Sequence, residues 1–133
     1  MNFVDLYKKL FAKEDSKLKE RIFKNSPFDF AATEKIWNKY FRFMPIKLAL
    51  PREKYRLYEK KVLDIGSAWG EFLIHFGPGS KGIEVLPESV EFSKAMSLDV
   101  DEYNFEDEWR EGPESFDAIW CSNVLEHVAA PHI

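Results

Sequence analysis

The chain has 133 residues, 45% of them apolar and 16% aromatic. That is one domain's worth of sequence with enough apolar material for a single core, which argues against disorder. Its net charge of −4 hides an uneven distribution, and its single cysteine, Cys121, excludes an intrachain disulfide.

Residues 1–61 carry 16 of the 19 Lys and Arg but 8 of the 23 acids, a net of +8, whereas residues 62–133 carry a net of −12. Such asymmetry can mark a polyanion-binding segment, but no basic motif interleaved with aromatics is present, so nucleic acid is not the favoured partner. The favoured expectation is that the basic helices dock beside the acidic half or are solvated. His75, His127 and His132 have no metal-ligand spacing, alone or with Cys121. No apolar run is long enough to span a bilayer, and the start lacks a basic region followed by an apolar core. The expectation is a cytoplasmic protein without a metal.

In chain order, Phe3, Leu6, Tyr7, Leu10 and Phe11 fall on one face of a helix, with Lys8, Lys9 and Lys13 on the other. Core packing of that face is expected over membrane-surface binding. The charged stretch Lys17 to Lys24 continues the helix or joins it to the next. Ser26-Pro27 with Asp29 reads as a helix start. A second helix is expected over 33–44, with Ile36, Trp37, Tyr40, Phe41 and Met44 as its apolar stripe and Pro45 at its end. Pro51 then opens a polar connection, 52–61.

Val62-Leu63-Asp64-Ile65 reads as a buried strand, Gly66 to Gly70 as a tight turn, and Glu71-Phe72-Leu73-Ile74 as the start of a helix. That order brings backbone N–H groups toward a ligand in α/β nucleotide-binding folds. Gly77-Pro78-Gly79-Ser80 is a turn. Residues 81–85 form a second strand ending in an acid, Glu84, and Pro87-Glu88 opens a further helix containing Val90, Phe92, Ala95 and Met96. Residues 98–103 are a third strand, 104–112 an acidic loop, and 116–121 a fourth strand. Ser122-Asn123 then caps a helix through Val124, Leu125 and Val128. This alternation predicts an α/β fold, a Rossmann-like doubly wound parallel sheet, preceded by a basic helical segment over 1–60.

Four segments carry the chemistry: Asp64-x-Gly66-x-Ala68-x-Gly70, Gly82-Ile83-Glu84, Asn104-Phe105-Glu106-Asp107, and Phe116-Asp117-Ala118-Ile119 followed by Ser122 to Val128. In this order and spacing they resemble the motifs of class I S-adenosylmethionine-dependent methyltransferases, in the small-molecule branch, over about residues 60–131. The resemblance implies that S-adenosylmethionine is held by Asp64, Gly66, Ser67, Ala68, Gly70, Glu84, Val85, Asn104, Phe105, Ser122 and Asn123. Asp64 would organise the turn for the methionine amino group, Glu84 would accept from the ribose hydroxyls, and Asn104 would face adenine in place of the usual acid. Ala68 replaces a glycine, which calls for negative φ there. His127 is the candidate general base against a structural hydrogen-bond role, and Cys121 is expected to be a small buried residue.

The implied reaction is methyl transfer to a small-molecule acceptor. A nicotinamide oxidoreductase would want Gly-x-Gly-x-x-Gly, which this turn does not supply. The resemblance implies a seven-stranded sheet, of which 61–133 supplies candidates for the first four, in the spatial order 3-2-1-4. The chain is therefore expected to be the N-terminal portion of a longer enzyme; the alternative is a non-catalytic or incomplete cofactor-binding module that needs a partner. Either way the fourth strand is expected at an apolar edge open to self-association.

Overall fold

The computed structural model describes residues 2–103 and 115–121. Four strands, β1 (Val62–Ile65), β2 (Lys81–Glu84), β3 (Val100–Glu102) and β4 (Ala118–Cys121), form one parallel sheet in the order β3-β2-β1-β4. The parallel sheet is the one the element pattern predicts, and its order is the one the family resemblance implies. Val62, Ile65, Ile83, Val100, Ile119 and Trp120 supply the β-branched and aromatic residues of the strands, and parallel pairing requires the long crossovers that separate neighbouring strands. Asp64 sits in the central strand, in register with Gly82 on one side and Trp120 on the other. The ligand-prone reversal of strand order therefore falls between β1 and β4.

Helix α1 (Phe3–Asn25) is capped by Asn2, whose Oδ1 accepts the Asp5 N–H at 2.9 Å. It runs unbroken through the charged stretch, but the buried line differs from the expected one. Leu18 and Ile22 are buried, whereas Leu6 and Leu10 are 41% and 57% exposed. The helix docks through its C-terminal half, because the aromatic layer it meets is built from residues 23–41 and from Phe92 and Met96. The basic side chains Lys8, Lys9, Lys13 and Lys17 face solvent.

The second helix starts earlier than its periodicity suggests. Asp29, not Ser26, is the cap of α2 (Phe30–Ile36), and its Oδ1 accepts the Ala32 N–H at 2.8 Å. Ser26 instead closes α1 and shares a 2.6 Å hydrogen bond with the Thr33 hydroxyl. After Ile36 the helix widens into a π turn, Trp37–Phe41, and Phe43 then takes a left-handed conformation (φ 65°). Pro45 begins the short α3 (Met44–Lys47) and does not end the preceding helix. A proline is tolerated in a first turn, where its missing N–H has no helical acceptor. The supposed polar connection is in part helical: α4 (Ala49–Tyr55) and a 3-10 turn, Leu57–Glu59, lead into β1. Arg52 ties α4 to α1 through a 3.0 Å ion pair with Glu14.

The expected helix after the glycine turn is only a 3-10 turn, Leu73–His75. The Gly77 N–H donates to Leu57 O at 3.0 Å, which pulls the chain back against the segment preceding β1. A Cβ on Gly77 would lie 2.5 Å from Lys60 O, so only glycine permits that approach. The stretch between Gly70 and Gly77 is left too short for more than a turn. Helix α5 (Pro87–Ala95) forms as expected and buries Val90 and Phe92.

The main core joins Leu18, Ile22, Ile36, Trp37 and Phe41 of the N-terminal segment to Phe92 and Met96 of α5. The aromatic stripe of residues 36–44 is thus core. Cys121 is exposed, contrary to expectation, because it lies two residues from the 54% exposed Ile119 and so on the same side of β4. The acidic loop, the helix through Val124, Leu125 and Val128, and the candidates Asn104, Phe105, Ser122, Asn123 and His127 lie outside the described residues. No helix among the described residues is long and apolar enough to cross a membrane.

Candidate functional site: an acidic glycine turn

The turn after β1 alternates its handedness. Gly66, Ala68 and Gly70 all have positive φ (71°, 50° and 87°). Ala68 therefore departs from the expected negative φ and stands where a left-handed L-residue costs about 1 kcal/mol. The reason lies in its partner. The Ala68 N–H donates to Glu84 Oε1 at 2.8 Å, a bond made between the end of β2 and the middle of the turn.

The other N–H groups of the turn are also engaged within the protein. Those of Gly66 and Ser67 donate to Ile83 O at 2.9 and 3.0 Å, that of Trp69 to Glu71 Oε1 at 3.1 Å, and that of Gly70 to Ser67 O at 2.8 Å. The turn thus differs from the donor cradle expected of it: its donors point inward. It also lacks a following α-helix whose N-terminus would favour an anion.

What the turn gathers is carboxyl groups. Asp64, Glu71 and Glu84 are 1%, 6% and 8% exposed, and among the described residues none is paired with a Lys, Arg or His. Glu84 is satisfied by backbone, its Oε2 accepting from Val85 and Leu86 at 2.8 and 3.0 Å. Each carboxylate oxygen has two lone pairs, so this leaves acceptor capacity for a ligand. Asp64 Oδ2 is buried without a hydrogen-bond partner among the described residues. Burial raises the Asp64 carboxyl well above the usual range, and the nearby Glu71 and Glu84 charges raise it further. Burial also lifts Glu71 to about 7, against the opposing pull of backbone N–H bonds from its own residue and Trp69. Like charges held together in a dry site cannot all ionise without a compensating cation.

The structure brings together Asp64, Gly66, Ser67, Ala68, Gly70, Glu84 and, through its backbone N–H, Val85, whose side chain is 50% exposed beyond β2. Two residues of this site were not anticipated. Glu71 is an acid set between Gly70 and the apolar run Phe72-Leu73-Ile74, a placement that could have marked it as an inward-facing carboxylate. Trp69 is a large aromatic in a turn otherwise made of small residues, and it packs against the N-terminal layer.

A family model described as a methyltransferase domain matches residues 18–133. The ubiquinone biosynthesis O-methyltransferase of Xanthomonas campestris pv. campestris (strain B100) is 32% identical over 96 residues, 65% of this chain and 40% of that protein. Its namesake from Vibrio atlanticus (strain LGP32) is 30% identical over 97 residues, 65% of this chain and 41% of that protein. The chain thus spans about 40% of the length of these curated relatives. Among solved structures, the sugar N-methyltransferase KedS8 from Streptoalloteichus sp. ATCC 53650 superposes with a TM-score of 0.52 at 19% identity, over 71% of this chain and 40% of that one, a likeness of fold. With the sheet order, the acidic glycine turn and the match over residues 18–133 in agreement, the chain belongs to the class I S-adenosylmethionine-dependent methyltransferases.

Proposed function

We propose that the acidic turn binds the methionine end of S-adenosylmethionine and that the whole protein transfers its methyl group to a small-molecule acceptor. The observation that carries this reading is the pairing of three buried carboxylates with a turn whose N–H groups at 66–70 are all engaged internally. Such a site is rich in acceptors and poor in donors, and it favours a ligand bearing an ammonium group and a sulfonium. A dinucleotide would set its diphosphate against three acids without a free donor from residues 66–70, so the oxidoreductase alternative has no support here.

In this reading Asp64, with its unpartnered Oδ2, faces the ammonium, and Glu84 keeps the turn closed through Ala68 while its remaining lone pairs meet the ribose. When bound, the cofactor supplies an electrophilic methyl on a good leaving group. The protein's share is then to orient it, to exclude water and to hold the acceptor in line. The rest of the cofactor site is assigned by resemblance to Asn104, facing adenine, and to Phe105, Ser122 and Asn123, with His127 as the candidate base. A small-molecule acceptor is supported by the curated relatives, whose name points to ubiquinone biosynthesis.

Thermal shift measurements test the reading. S-adenosylmethionine and S-adenosylhomocysteine should each raise the melting temperature; a ligand at 100 times its Kd adds about 2.7 kcal/mol. Asp64→Asn should lose most of that shift. A larger response to NADH, or an undiminished response in Asp64→Asn, would overturn it.

A further inference from the structure

Trp69 lies between two left-handed residues of the glycine turn, Ala68 and Gly70, and its ring packs against the main core. It meets Phe92 of α5 edge-on at 5.6 Å, Phe28 edge-on at 6.2 Å, and Tyr40 at 6.1 Å with the rings tilted by 46°. Phe28 belongs to the linker between α1 and α2, and Tyr40 to the π turn. Among the described residues, two of the three rings around this tryptophan therefore come from the basic N-terminal segment.

These rings are themselves held. Phe28 stacks on Phe92 at 6.1 Å, its N–H donates to Ser26 Oγ at 3.2 Å, and Phe41 packs on Phe92 at 5.8 Å. Arg21 Nη2 donates to Met96 O at 2.5 Å, which fastens α1 to the end of α5. On its backbone side, the Trp69 N–H is fixed by Glu71. A turn carrying a left-handed alanine needs such restraint to keep one conformation.

We infer that Trp69 is a positioning residue through which the N-terminal helical segment sets the shape of the cofactor turn, so that residues 1–60 are a working part of the cofactor site and not a separate appendage. The inference rests on the methyl-donor reading for its ligand. The mechanical link stands on the ring contacts alone. Edge-to-face pairs in a core resist rotation of the ring and so of the backbone that bears it.

The test uses Phe28→Leu and Tyr40→Leu, which lie outside the turn, with Trp69→Leu as the direct variant and Leu18→Ala as the control. Leu18 is buried in the same core but makes no ring contact with Trp69. Amide exchange at 67–71 should quicken about tenfold in Phe28→Leu, Tyr40→Leu and Trp69→Leu, while β1 and β2 change less than about twofold. Leu18→Ala should lower the melting temperature without that local pattern. Affinity for S-adenosylhomocysteine should fall about five- to tenfold in the first three variants, and less in the control. Turn exchange that merely follows β1 in Phe28→Leu overturns the inference, as does unchanged affinity in variants whose turn has loosened. If the unmodified chain binds no S-adenosylhomocysteine, the methyl-donor reading falls instead, and the exchange arm still decides the mechanical link.

Discussion

Replacing Glu71 by glutamine should make this protein more stable at pH 8 and not at pH 4.5. The carboxyl is 6% exposed, and burial lifts it from 4.5 to about 7. At about 1.4 kcal/mol per unit, ionising it in the folded state costs roughly 3 kcal/mol more than in the unfolded chain. Because the folded value is raised, the protonated group's contribution is full below pH 4.5 and is lost as pH rises through about 7. Glutamine keeps an acceptor for the Trp69 N–H and escapes ionisation, but it brings a buried NH2 whose lack of a partner costs about 1 kcal/mol. The net expectation is a gain of about 2 kcal/mol at pH 8 and a loss of about 1 kcal/mol at pH 4.5. For a domain of this size, the gain corresponds to a rise in melting temperature of roughly 6–10 °C. Thermal and urea unfolding at the two pH values measure it. A variant less stable than the parent at pH 8, or a difference independent of pH, would refute the assignment of Glu71 as a carboxyl ionised against its surroundings.

Further substitutions probe the neighbouring geometry. Ala68→Gly should relieve the left-handed strain, about 1 kcal/mol, and lose part of that to unfolded-chain entropy, giving a small net gain in urea midpoint. Ala68→Val should destabilise, since a β-branched side chain fits that conformation worst. Gly82→Ala would bring a Cβ within 2.6 Å of Ser67 Oγ and 2.9 Å of Leu73 Cδ2, with a loss of about 1–3 kcal/mol expected by equilibrium unfolding. On the acid side, burial lowers His75 to about 4, with the Arg52 and Arg21 charges adding to the effect. Its contribution is therefore complete above pH 6.5 and lost as pH falls through about 4, and His75→Gln should flatten that limb of the stability profile. Between pH 4.5 and 6.5 Glu71 and His75 pull in opposite directions, so Glu71→Gln should also steepen the acid limb.

Much of the architecture is written in local pattern. The strand segments at 62–65, 81–84 and 118–121 are too short for helices and are separated by crossovers long enough for parallel pairing, while the order 3-2-1-4 came with the family resemblance. Motif spacing likewise singled out Asp64 and Glu84, because a strand end fixes where an acid can sit. Local pattern failed where distant segments compete. Periodicity marked Leu6 and Leu10 as core, but only the far half of α1 meets the aromatic layer. The apolar run after Gly70 favoured a helix, but the Gly77 N–H reaching Leu57 O drew the chain back first.

The sequence alone determined the sheet, the glycine turn and the acids at its ends. Tertiary structure decided what that turn presents. Its N–H groups are engaged by Ile83, Glu84, Glu71 and Ser67, which turns an apparent anion cradle into a buried cluster of carboxylates. It also placed Ala68 at positive φ and set Trp69 among Phe28, Tyr40 and Phe92. No spacing rule conveys these features, because hydrogen-bond direction and ring contact depend on which segments meet in space.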